Sequence, residues 1–266
     1  MPELPEVETL KRELERAVKG KTIVEVRIAH PRVIRQPAPA AFKKGLEATT
    51  ITGVQRKAKV LIIGLSSGKS LVIHLKMTGQ LLYPGNGAKS RVRFIFSDGT
   101  AMDFNDQRLF AELRLMEDWR SLPFIQGLGP EPGQLSLEEF KALLATRKTR
   151  IKPLLMDQTV ISGVGNLYAA ECLFRAKIYP ERPAQSLTAA EQEKLYLALR
   201  DVLNDAVNYG GSSVDDYVRL TGKPGEYVSQ HKVYGREHKP CFICKTPIKR
   251  VALGGRGTYF CPSCQR

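Results

Sequence analysis

Acid is what this chain is short of. Against 41 Lys and Arg it carries 27 Asp and Glu, which gives a formal charge of +14 and an isoelectric point near 9.6. Neutralising phosphates releases condensed counterions, so the imbalance favours polyanionic partners, with nucleic acid ahead of an anionic membrane surface. Long apolar runs are also missing. Nothing approaches the roughly 20 residues that a bilayer-spanning helix needs. The opening MPELPEVETL has no basic stretch leading into an apolar core, so neither a secretory signal nor a transit peptide is expected, and the chain reads as cytoplasmic. There is no internal repeat and no low-complexity tract. Disorder is not implied either, because 42% of the residues are hydrophobic over 266 positions, enough for one large domain or two modest ones.

Cysteine is scarce, with five in all, and four of these fall in two C-x-x-C pairs, Cys241 with Cys244 and Cys261 with Cys264. In a reducing compartment that spacing reads as one tetrahedral zinc site rather than as disulfides. Four thiolates complete the tetrahedron and leave no position open for water, so the metal is structural. Cys172 stands in an apolar helical pattern and reads as a packing residue. Residues 231–266 hold eight Lys and Arg against Glu237 alone, a formal +7. Between the cysteine pairs, KTPIKRVALGGRGTYF reads as a β-hairpin with Gly254 and Gly255 at its tip and Arg256 beside them.

The patterning divides the chain into an α+β arrangement. Val7, Leu10, Leu14 and Val18 share one face of an N-terminal helix that begins after Pro5 and ends at Gly20. From Thr22 to about Met116 the period changes to two, in short runs separated by SSGK and SDGT turns, which predicts an antiparallel β-sandwich or barrel. The Gly- and Pro-rich PFIQGLGPEPG, Pro123 to Gly133, reads as a linker. Beyond it the period is helical. Ser136 with Glu139 and Thr188 with Glu191 have capping-box spacing, and Leu195, Leu199, Val202 and Ala206 form a stripe. RIKPLLMD and LYAAECLFRA, joined by VISGVGN, suggest helix, glycine-rich turn, helix, a layout used on DNA and also in ordinary packing. The expected domains are therefore 1–130, an N-terminal sandwich; 131–230, helical; and 231–266, the zinc hairpin.

Proline at position 2 permits trimming of Met1 and would then present a secondary amine able to attack a sugar carbon and form an iminium ion. The helix starting near Pro5 would hold that amine in positive dipole potential and lower its pKa. Glu3, Glu6 and Glu8 crowd the same end, and acids in a first helical turn commonly only complement the dipole. Read as a whole, MPELPEVET resembles the N-terminal signature of the formamidopyrimidine-DNA glycosylases. Further matches follow in order: QRKAK, HLKMTG, NDQRLF, GLGPEP, IKPLLMD, GVGNLYAAE, GKPG, VYGR and the terminal GRGTYFCPSCQ. They cover nearly the full length.

That resemblance implies a bifunctional DNA glycosylase and abasic-site lyase that acts on damaged duplex DNA as a monomer, with helix-two-turn-helix and zinc-hairpin modules. It implies Pro2 as the nucleophile at C1′ and Glu3 as the acid of sugar opening. Lys59 would serve the first elimination, and Arg256 would grip phosphate and serve the second. Lys57 and Lys59 lie two apart and would share a strand face, so spacing alone does not choose between them, whereas the family motif favours Lys59. An extruded base leaves a gap to be filled, and the resemblance assigns Met77, Arg108 and Phe110 to that wedge. Without it, Met77 and Phe110 read as core. DNA contacts are carried over to His74, Lys148, Lys152, Asn166, Lys223 and Tyr234, although His74 equally suits a satisfied, partly buried position. The chain departs from the pattern at AKSRVRF, where Lys89 or Arg91 must supply any phosphate contact, and at Val60, Leu109 and Ala111. Leu4 favours oxidised purines as substrate over the oxidised pyrimidines of the endonuclease VIII-like branch. A reading from another class is a zinc-ribbon nucleic-acid binder that keeps the scaffold without catalysis.

Overall fold

The computed structural model describes residues 1–266, which form two compact units, one of residues 1–126 with 207–228 and the other of residues 127–206 with 229–266. In the first unit, α1 (Leu4–Val18) buries Val7, Leu10, Leu14 and Val18. Each such side chain removed from water contributes about 1.5–3 kcal/mol, so this stripe, and not the strongly charged outer face, holds the helix in place. Pro5 stands in the first turn, and Glu3 caps it reciprocally with Glu6, whose carboxylate accepts the Glu3 N–H at 2.7 Å.

The strands follow as β1 (Thr22–Ile28), β2 (Ile34–Gln36), β3 (Thr49–Lys57), β4 (Val60–Leu65), β5 (Ser70–His74), β6 (Gly79–Leu82), β7 (Val92–Phe96), β8 (Ala101–Asp106) and β9 (Glu112–Met116). They run in the order β2-β9-β5-β4-β3-β1-β7-β8-β6, with a bulge in β1 between Ile23 and Glu25. The inward residues of both halves, among them Val26, Phe94 and Phe104 on one and Leu61, Ile73 and Leu113 on the other, share one core, as in the expected sandwich. Gly68 and Gly99, at φ +81 and +80, make the SSGK and SDGT turns.

Three details differ from the sequence reading. The pair β2–β9 is parallel within an otherwise antiparallel sheet. Between β2 and β3 lies α2 (Pro39–Leu46), too short to show a period, which buries only Phe42 and Leu46. A Cβ on Gly45 would stand 2.6 Å from Leu115 Cδ2, so glycine there lets the helix lie against β9. Within the stretch 123–133, read as a linker and holding the boundary between the two units, the first residues are helical, as α3 (Pro123–Gln126), where Ile125 packs with Leu122, Val60 and Val72.

The second unit contains α4 (Leu137–Ala145), α5 (Ile151–Met156), α6 (Asn166–Ala176), most of α7 (Ala189–Asn208), and the hairpin β10 (Lys249–Leu253) with β11 (Arg256–Phe260). Ser136 caps α4 by accepting the Glu139 N–H at 3.2 Å, and Cys172 is fully buried in α6. Gly254 and Gly255, at φ +58 and +72, make the two-residue hairpin turn beside Arg256. Residues 207–228, which the sequence places with the helices, belong to the first unit. There Leu220 and Tyr217 enter the sandwich core. No helix is long and apolar enough to cross a membrane.

Candidate active site and nucleic-acid contacts

The start of α1 sets the first cluster. Pro2 is buried and immediately precedes the cap residue Glu3, itself buried, so the ring nitrogen lies at the positive end of the helix. Met1 stands before it, half-exposed, with its terminal nitrogen 3.8 Å from Asp215 Oδ2. Glu6 accepts from Glu3 N–H with one carboxylate oxygen and from Ser212 N–H, at 2.9 Å, with the other.

Lys59 is not on a strand face with Lys57. Lys57 ends β3 and pairs with Val60, which leaves Ala58 and Lys59 as the two-residue turn, with Ala58 at φ +49. The turn lowers Lys59 to 7% exposure, while Lys57 remains partly exposed. A chain of charged contacts ties this turn to α1. Arg56 donates from Nη1 to the Ala58 carbonyl at 2.9 Å and from Nε to Glu8 at 2.9 Å. Burial pushes the Glu8 carboxyl up, but the Arg56 and Arg12 guanidinium groups outweigh it and hold the group below its ordinary range. Glu8 is therefore a brace between the helix that carries Pro2 and the turn that carries Lys59.

His74, across the strand from Val60, accepts the Lys76 N–H at Nδ1 (3.1 Å). Burial first, then the cations of Lys76 and Lys59, lowers its pKa to about 4. The imidazole is thus neutral near pH 7, and a phosphate contact from it would be a hydrogen bond and not an ion pair.

Met77, Arg108 and Phe110, remote in sequence and expected to form a wedge, meet. Met77 is 41% and Phe110 46% exposed, contrary to the core reading that composition alone supports. Arg108 lies with its guanidinium carbon 4.7 Å from the Phe110 ring centroid and donates from Nη1 to Met77 Sδ at 3.4 Å. The organising group is one the sequence reading passed over. Asp106, 1% exposed, accepts from the Thr78 hydroxyl and the Arg108 N–H (3.1 Å) on Oδ1, and from the Ala111 N–H (2.7 Å) on Oδ2. One carboxylate thus fastens the loops that carry Met77 and Arg108, with Leu109 in the second of them at φ +56. The available signal was a carboxylate two residues after Phe104, on the apolar face of β8. Asp103 does the same for the segment that carries exposed Lys89, accepting from Gly87 N–H at 2.7 Å and from Arg93. Lys223 is exposed in a turn closed by Gly222 N–H to the Arg219 carbonyl at 2.8 Å.

In the second unit Lys148 is exposed, but Lys152 is not an open phosphate clamp. At 1% exposure its ammonium donates to Asn166 Oδ1 (2.6 Å) and Thr258 Oγ1 (2.8 Å). Asn166, at the first turn of α6, donates in turn to the Gly257 carbonyl at 3.1 Å. These bonds brace the helix start against β11 next to Arg256, which is exposed. Tyr234 packs edge-on against Tyr259 at 5.1 Å. Its N–H, with those of Lys232 and Val233, is received by the buried carboxylate of Glu171, another residue that sequence reasoning missed. Burial raises the Glu171 pKa in spite of those three bonds.

The four sulfurs of Cys241, Cys244, Cys261 and Cys264 lie within 4.8 Å of one another, with Cys244 and Cys261 at 3.4 Å and Cys241 and Cys264 at 3.9 Å. A tetrahedron with zinc–sulfur bonds of about 2.3 Å requires sulfurs about 3.8 Å apart, so the set fits one ion. Burial, followed by the neighbouring sulfurs, pushes the Cys264 thiol up, and four thiolates coexist here only around a cation. These residues hold a single structural zinc.

Comparison with known proteins finds one family along the chain. Residues 1–113 match the family model "Formamidopyrimidine-DNA glycosylase N-terminal domain", 127–218 the "Formamidopyrimidine-DNA glycosylase H2TH domain", and 239–266 the "Zinc finger found in FPG and IleRS". The formamidopyrimidine-DNA glycosylase of Pelotomaculum thermopropionicum is 43% identical over 274 residues, covering 100% of this chain and 99% of the relative. That of Solibacter usitatus is 41% identical over 267 residues, with 100% of both covered. Among solved structures, the Thermus thermophilus MutM (Fpg) protein superimposes with a TM-score of 0.89 at 40% identity, covering 99% of this chain and 98% of that one. A point mutant of Lactococcus lactis Fpg in complex with DNA containing Fapy-dG superimposes at 0.91 with 32% identity and 100% of both chains covered.

Proposed function

The chain belongs to the formamidopyrimidine-DNA glycosylase family, and from that premise we propose that it is a bifunctional DNA glycosylase and abasic-site lyase that removes oxidised purines from duplex DNA in the cytoplasm. The observation that carries the reading is the placement of Pro2, buried at the positive end of α1 beside Glu3 and braced through Glu8 and Arg56 to the turn of Lys59.

Once Met1 is removed, the unprotonated ring nitrogen attacks C1′ of an extruded nucleotide, and the bond from C1′ to the damaged base breaks with its electron pair leaving on the base. Glu3 supplies the proton that opens the sugar ring, and the product is an iminium ion on Pro2. Lys59 serves the first elimination and Arg256 the second, which cleaves the strand. Met77, Arg108 and Phe110 fill the vacated stack. His74, Lys89, Lys148, Asn166, Lys223, Tyr234 and Arg256 contact DNA, with Lys152 supporting Asn166. The protein acts as a monomer, with residues 1–126 and 207–228 as catalytic unit, and with 127–206 and 229–266 carrying the helix-two-turn-helix and zinc-hairpin modules. Zinc closes that hairpin and supplies no catalytic chemistry, because cysteine occupies every position around it.

The deciding test is borohydride reduction in the presence of a duplex containing 8-oxoguanine. An adduct mapped by peptide mass to Pro2 is the expected outcome. Binding with no adduct would support the non-catalytic zinc-ribbon reading. Faster turnover on an oxidised pyrimidine than on 8-oxoguanine would move the chain to the endonuclease VIII-like branch. Pro2→Ala should lose much of base excision, and protein retaining Met1 should lose the covalent step almost entirely.

A further inference from the structure

Between the first pair of zinc cysteines stand two apolar residues, Phe242 and Ile243. At 56% and 61% they are the most exposed of the chain's large hydrophobic side chains. A single exposed apolar side chain is ordinary, but these two are adjacent and lie in a loop that the metal closes.

The aromatic ring is also set among cations. The Arg236 guanidinium carbon lies 3.7 Å from the Phe242 ring centroid, and Lys232 Nζ lies 5.3 Å from it. Arg236 is fixed there, because its Nη2 donates to the Pro240 carbonyl at 3.0 Å and its Nη1 to the Lys232 carbonyl. Lys245 donates to the carbonyl of Phe242 itself at 3.5 Å. The one acid of residues 231–266, Glu237, lies beside His238. The guanidinium covers one face of the ring, and the rest of the ring and Ile243 face water.

A duplex has little to offer such a surface, since its base faces are stacked on one another and its outside is phosphate. An unpaired nucleotide presents a flat apolar base next to its phosphate, and aromatic side chains interleaved with cations bind that combination without regard to sequence. We propose that Phe242 and Ile243, with Arg236, Lys232 and Lys245, form a binding site for single-stranded DNA: an unpaired base packs on the open part of the ring and on Ile243, and the strand's phosphates lie against the three cations. The site uses none of the residues assigned above to duplex DNA. It depends on the zinc-closed loop and not on the chemistry at Pro2.

The experiment measures binding of a fluorescent oligothymidylate of about 15 residues, and of a blunt undamaged duplex of the same length, by anisotropy at low salt. Wild type, Phe242→Ala, Phe242→Tyr and Ile243→Ser are compared at equal zinc content. Phe242→Ala should lose about tenfold in affinity for the single strand and stay within about twofold on the duplex, the loss expected when one stacked base is released. Phe242→Tyr keeps the ring and should bind as wild type, and Ile243→Ser should show a smaller loss on the single strand alone. Photo-crosslinking of wild-type protein to an oligonucleotide containing 5-iodouracil should mark the peptide that carries Phe242, a readout that needs no variant to fold. Wild-type affinity of Phe242→Ala for the single strand, equal losses on both forms of DNA, or crosslinks confined to other peptides overturns the proposal. Sedimentation of the wild type as a dimer and of Phe242→Ala as a monomer would also overturn it, by assigning the patch to a protein contact.

Discussion

Asp106 offers the sharpest test of how the proposed wedge is built. Its carboxylate is 1% exposed and receives three donors, the Thr78 hydroxyl and the N–H groups of Arg108 and Ala111. Asp106→Ala removes both carboxylate oxygens at once, leaving the Ala111 N–H without its partner and the Arg108 N–H with only the Thr78 hydroxyl, at 3.3 Å. An unsatisfied buried donor costs about 1–3 kcal/mol and the lost bonds of Thr78 and Arg108 add about 1 kcal/mol, so the loss should be about 2–4 kcal/mol, concentrated in the loops at 77–79 and 107–111. Asp106→Asn keeps one oxygen for Thr78 and Arg108 but turns its amide toward the Ala111 N–H, donor against donor, and should cost about 1–3 kcal/mol. The order wild type, Asn, Ala should appear in thermal unfolding of the purified variants. It should appear again in single-turnover excision, since Arg108 loses the shorter of its two backbone tethers. Affinity for undamaged duplex, which depends on phosphate contacts elsewhere, should change little. If Asp106→Ala unfolds at the wild-type temperature and excises at the wild-type rate, the carboxylate does not organise the wedge and the account of that site is wrong.

Other measurements follow from the same contacts. His74 and His231 both have pKa values lowered to about 4 by burial, so in the folded protein they stay neutral where an unfolded chain would already bind protons. Stability should therefore fall as pH drops from about 6.5 toward 4, and denaturant titrations of His74→Gln should show a shallower fall; an unchanged slope would refute the burial argument. Cys244→Ser should release zinc and weaken DNA binding, because a structural site returns its binding energy as folding energy. Metal content and affinity both at wild-type levels would show that the four sulfurs do not act as one site. Lys152→Met should reduce DNA affinity, since Asn166 and Thr258 lose the ammonium that joins them. An unchanged dissociation constant would mean that the start of α6 needs no such brace.

What the sequence determined by itself is local. The Val7, Leu10, Leu14, Val18 stripe, the Ser136 cap, the two-glycine tip beside Arg256 and the two C-x-x-C pairs each draw their physics from a few neighbouring positions, and each stands in the structure as read. Periodicity likewise specified the sandwich, because alternation decides which side of a strand meets the core. Tertiary structure decided whatever depended on which remote groups meet. Lys59 went to a turn and not a strand face, Lys152 became an internal brace, and Met77 and Phe110 came to the surface because Asp106 gathers their loops. Residues 207–228 joined the first unit through the carboxylates of Glu6 and Glu13. A buried polar group is tolerable only where its partners are, and those partners lie tens to hundreds of positions away, so no local pattern encodes the outcome.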